Sequence, residues 1–115
     1  MRRPARPRIV GGIAGAITGE TDALLATNPH HAKHATSAAL SDLKTLADHS
    51  ENLSDAQKQT LKFAIHQDQI AKRFFDQADE KDNEHVKRDV KTARAHIQEG
   101  LELKRELFDA LAYPG

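Results

Sequence analysis

Apolar positions recur at helical spacing from Asn28 almost to the C-terminus, with two interruptions. Ala32, Ala35, Thr36, Ala39, Leu43, Leu46 and Ala47 fall on one stripe of a helix that begins at Pro29. Asn28 is a good N-cap there, and proline suits the first helical position because its missing N–H would lack a partner anyway. The stripe is rich in alanine, so a neighbouring helix can come close. The segment His49 to Asn52 ends it.

Ser54, with Gln57 three residues later, is a capping-box signature for a second helix. Leu61, Phe63, Ala64, Ile70, Ala71, Phe74, Phe75 and Ala78 then spread over more than half of its circumference. A helix apolar over so wide an arc is central and touches two neighbours, or it gives part of the arc to a dimer seam. Gln67 and Asp68 fall inside the arc and require polar partners, such as a Lys or Arg from a neighbouring helix. The run Asp79 to His85 reads as a turn, with Asp82 or Asn83 as the next cap. Its lack of Gly and Pro leaves one long helix as the alternative. The last helix carries a narrow stripe of Val86, Val90, Ala93, Ile97, Leu101, Phe108 and Leu111, with Leu107 at its edge. Gly100 and Lys104 interrupt that stripe, Glu84 and Arg88 form an i,i+4 pair, and Pro114 stops the helix.

The pattern predicts an all-α fold: a three-helix bundle, or a helical hairpin plus one helix, over residues 28–115. Phe63, Ile70, Phe74, Phe75, Val90, Ile97, Leu101 and Phe108 are its expected helix–helix contacts. Residues 1–27 form a different region, a basic Arg/Pro arm followed by a Gly-rich apolar segment.

In that segment Gly11, Gly15 and Gly19 recur every four residues, with Gly12 nearby. On a helix they form a small-residue face that permits close packing, as inside lipid bilayers, while Ile9, Val10, Ile13, Ala16 and Ile17 take the other side. Each interior glycine costs about 1 kcal/mol relative to alanine, so the four cost about 4 kcal/mol. Such a helix needs a partner helix, a bilayer or an assembly to hold it. The competing readings are a flexible linker and a targeting peptide. A membrane span needs about 20 apolar residues, and Ile9 to Thr18 is too short for one.

Charge separates the same two regions. Basic and acidic residues are equal at 17 each. Arg2, Arg3, Arg6 and Arg8 all precede the first acid, Glu20, so the rest of the chain carries a net charge of −4. An arginine arm of this kind meets phosphate, in nucleic acid or in an anionic membrane, through residues 1–20. Pro4 and Pro7 favour an extended path for it. The chain has no Cys, which excludes disulfides and thiolate metal sites and favours a cytoplasmic or virion setting over a secreted one.

The chemistry-bearing residues are sparse. His30 and His34 lie one turn apart and are weak metal candidates. They have no evident third ligand, and their face turns away from the apolar stripe. No nucleophile elbow, phosphate loop or dinucleotide fingerprint occurs. Asp68 is the one carboxylate expected inside the fold. The sequence therefore predicts a non-enzymatic helical assembly protein without a cofactor or small-molecule substrate. Its partners are other proteins or copies of itself, and its arm contacts a polyanion. In style it is similar to small virion components with basic, Gly/Ala-rich N-termini. The alternatives are a membrane-associated protein that uses the Gly-rich segment and a His-based metal-binding bundle.

Overall fold

The computed structural model describes residues 6–25, 28–48, 53–80 and 84–112. They form four helices and no strand: α1 (Arg6–Leu25), α2 (Pro29–Asp48), α3 (Asp55–Ala78) and α4 (Val86–Ala112). Consecutive helices pack side by side, and α1 also packs on α4, which closes the ring. The resulting rod measures 57 × 21 × 19 Å.

The expected count of three helices is corrected to four, because the Gly-rich segment is itself a helix. It packs within its own chain, between α2 and α4. The contacts of α1 with α2 run antiparallel, from Gly12 against Leu46 to Gly19 against Ala39. A methyl group at Gly19 would lie 3.2 Å from the Ala35 carbonyl oxygen, and one at Gly15 would lie 3.2 Å from an Asp42 carboxylate oxygen. The expected face of Gly11, Gly15 and Gly19 is shifted by one residue: Gly12, Gly15 and Gly19 meet α2, whereas Gly11 has nothing within 4 Å. The reason is geometric. With α2 on one side and α4 on the other, α1 buries Ile13, Ala16, Glu20 and Ala23 between them, and this rotation leaves Gly11 in solvent.

The remaining boundaries follow from local chemistry. The Asn28 side chain accepts the His31 backbone N–H at 2.9 Å and caps α2. Ser54 and Gln57 form the reciprocal capping box of α3. The turn reading of residues 79–85 holds at both ends, since α3 stops at Ala78 and α4 starts at Val86; residues 81–83 lie outside the described residues. Arg88 reaches Asp89, at 3.7 Å, rather than Glu84.

Two apolar clusters fill the core. One is rich in leucine and holds Leu43, Leu46, Leu53, Leu61, Leu107 and Leu111 with Ile13. The other packs Phe75 and Ile97 against Ala23, Ala32, Ala71 and Ala93. The alanines let the helices close on one buried ring, as the Ala-rich stripe of α2 requires.

Candidate functional site

Four ionisable side chains are buried among the described residues, and three of them meet inside the bundle: Glu20 from α1, Asp68 from α3 and Lys104 from α4; the fourth, Asp89, lies in the first turn of α4. The exposures of the three that meet are 0%, 0% and 1%. The Lys104 ammonium donates to Asp68 Oδ2 at 2.7 Å and also contacts Glu20 Oε1. Gly100, one turn before Lys104, makes room for this cluster. A Cβ there would lie 2.8 Å from Asp68 Oδ1 and 3.2 Å from Glu20 Oε1. Gly100 and Lys104, which break the apolar stripe of α4, are thus two parts of one arrangement. The polar partner that Asp68 requires is Lys104, and Gln67 meets His96 at 2.6 Å.

Two acids surround one base, and Glu20 Oε2 and Asp68 Oδ1 accept no hydrogen bond. Burial favours the neutral form of each group, pushing the Asp68 carboxyl up to about 8 and the Lys104 ammonium down to about 7. The cluster is electrically neutral when Asp68 keeps a proton and Lys104 stays paired with Glu20. The rise at Asp68 is therefore the dominant effect. Sealed at 0–1% exposure, these groups meet no solute in this conformation. Through Lys104 they link α1 and α3 to α4, and removing one partner of such a buried set is strongly destabilising.

The sequence-predicted contacts divide into three groups. Phe75, Ile97 and Leu101 are buried in the bundle. Phe74, Val90 and Phe108 are partly buried against the core clusters, and Ile70 is also partly buried. Phe63 is 50% exposed. It shares a stripe of α3 with Gln67, Ile70 and Phe74, the flank on which Gln67 bonds to His96 and Phe74 stacks on it. The wide apolar arc of α3 is thus covered on its two neighbouring sides and bare at Phe63.

Around the outside, His30 and His34 stand edge to face with ring centres 4.5 Å apart, and His30 Nδ1 lies 3.1 Å from Asp79 Oδ2. Lys33 donates to the same carboxylate oxygen at 2.7 Å, which holds the Asp79 pKa below the usual carboxylate value. These contacts tie the start of α2 to the end of α3. Among the described residues no group of three His, Cys, Asp or Glu is placed to hold a metal. Pro29, Val86, Lys87, Val90, Lys91 and Arg94 line a basic groove of about 400 Å³ where α4 begins. Arg2 and Arg3 lie outside the described residues, and Arg6 and Arg8 open α1.

Glu20 is the member of the buried cluster that sequence reasoning missed. Its signal is the spacing Ile13, Ala16, Glu20, Ala23, which places it in line with the apolar face of α1. Comparison of the chain with protein-family models, curated proteins and solved structures finds no match.

Proposed function

We propose that this is a non-enzymatic helical assembly protein that associates with itself or docks into a larger complex, with its basic N-terminal arm engaging a polyanion. The observation that carries the reading is Phe63: a large aromatic side chain, 50% exposed, next to partly buried Ile70 on a helix whose other apolar positions are packed. We take Phe63 and the adjoining flank of α3 as the contact point for another molecule, since aromatic side chains are enriched among the residues that carry binding energy at interfaces. Arg2, Arg3, Arg6 and Arg8 add a separate phosphate-binding element at the start of the chain. A place in a virion shell suits both features.

The membrane-associated alternative draws less support. No helix among the described residues is long and apolar enough to cross a membrane. Lying in a bilayer surface would also require α1 to leave the bundle, removing Ile13, Ala16 and Ala23 from the core and Glu20 from Lys104.

Light scattering on the full chain and on a chain lacking residues 1–8 tests the proposal. The expected result is a mass above the 12.7 kDa of one chain for both, with nucleic-acid retention confined to the full chain. A strict 12.7 kDa monomer across a wide concentration range, or equal nucleic-acid retention by both, contradicts it.

A further inference from the structure

Most exposed charges of α4 run against their own helix. Lys87, Arg88, Lys91 and Arg94 occupy its N-terminal half, and Glu99, Glu102, Glu106 and Asp109 occupy its C-terminal half; the exceptions are Arg105, exposed in the acidic half, and the buried Asp89 and Lys104. The helix dipole favours the opposite placement. Like charges also recur one turn apart, at Arg88 and Lys91, Glu99 and Glu102, Glu102 and Glu106, and Glu106 and Asp109. Each of these pairs is repulsive on an isolated helix.

No neighbouring helix relieves this arrangement. Lys91, Glu99, Glu102, Glu106 and Asp109 are exposed and form no ion pair among the described residues. Arg88 reaches only Asp89, at 3.7 Å. Arg88, Lys91, Ala95, Gln98, Glu99, Glu102, Glu106 and Asp109 form one continuous outward stripe, opposite the buried Ala93, Ile97 and Leu101.

We propose that a second copy of this chain docks on that stripe, α4 against α4 and antiparallel, about a twofold axis between Gln98 and Glu99. The proposal rests on the self-association reading above and names its surface. The axis sets Arg88 opposite Asp109 and Lys91 opposite Glu106, each pair occurring twice by symmetry. Ala95 falls opposite Glu102, so no like charges meet there, and its small side chain permits close approach. Exposed ion pairs contribute little affinity, but they select partner and register. Phe63 lies on the α3 stripe whose Gln67 and Phe74 meet His96 of α4, and we assign it an apolar contact at the edge of this interface.

Two variants test this, one carrying Arg88→Glu with Lys91→Glu and the other Glu106→Lys with Asp109→Lys. Each change brings α4 into line with its dipole, so the helices are retained, which circular dichroism verifies. If either pair alters helicity, the single changes Lys91→Glu and Glu106→Lys replace them. Sedimentation of the wild type gives a dimer. Each variant alone sediments as a monomer, because like charges then face each other. The equimolar mixture returns to a dimer, because every altered residue meets its opposite on the other chain. A monomeric wild type overturns both this proposal and the self-association reading. Variants that dimerise alone, or a mixture that stays monomeric, overturn the α4 surface and leave self-association through another face standing.

Discussion

Charged residues are used in two opposite ways in this bundle. Inside, Glu20, Asp68 and Lys104 are sealed from water and held against one another across three helices. Outside, along α4, Lys91, Glu99, Glu102, Glu106 and Asp109 stand in solvent and form no ion pair among the described residues. Desolvation makes the difference. A buried charge is costly unless its partner is present, so each member of the inner cluster constrains the others. An exposed charge is hydrated and costs the fold little, so the outer stripe is free to serve a contact beyond the chain.

The contrast is broken most severely at Lys104. Replacing it with alanine leaves two carboxyl groups facing each other in a closed core. Lys104→Ala is expected to lower the unfolding free energy by about 3–5 kcal/mol. Lys91→Ala, on the same helix but in solvent, is expected to change it by less than about 0.5 kcal/mol. Urea denaturation of both variants measures the difference, and equal losses would erase the distinction between the two regions.

Two glycines give a smaller version of the same contrast. Gly100→Ala drives a methyl group against Asp68 Oδ1, so crowding outweighs the gain in helix propensity, and a loss of about 1–3 kcal/mol is expected. Gly11→Ala meets nothing within 4 Å and should gain up to about 1 kcal/mol. Thermal melts of the pair check both signs.

These residues also show how far the sequence was legible. The caps at Asn28 and Ser54 are local chemistry, and both helices begin where those residues place them. Asp68 was legible as a buried acid in need of a base, because a polar residue inside an apolar arc has few alternatives. Its partner Lys104 and the space at Gly100 were visible only as defects in a stripe, since the reason for them lies on another helix. The helicity of α1 was hidden by its glycines. Propensity counts their cost, while the compensating contacts with α2 and α4 depend on tertiary structure. The Gly11 register failed for a related reason: four-residue spacing marks a face, but the neighbours decide which residues on it are covered. The exposure of Phe63 could not be read from periodicity either, because the same arc serves a neighbouring helix or a second molecule equally well.

The inner cluster also gives stability a pH dependence of defined sign. Folded Asp68 keeps its proton to about 8, whereas the unfolded carboxyl loses it near 4, so this group's contribution falls as pH rises between those values. Stability is therefore expected to fall as pH rises from about 4 toward about 8, with a slope no steeper than about 1.4 kcal/mol per pH unit, and urea denaturation across that range measures it.

The most direct test of the sealed cluster is a carbon-detected NMR titration of the Asp68 side-chain carboxyl in the folded protein. A closed site with two acids and one base predicts a midpoint raised to about 8. A midpoint in the ordinary aspartate range near 4 would show that hydration or pairing with Lys104 offsets the burial of the carboxyl, and would contradict the account.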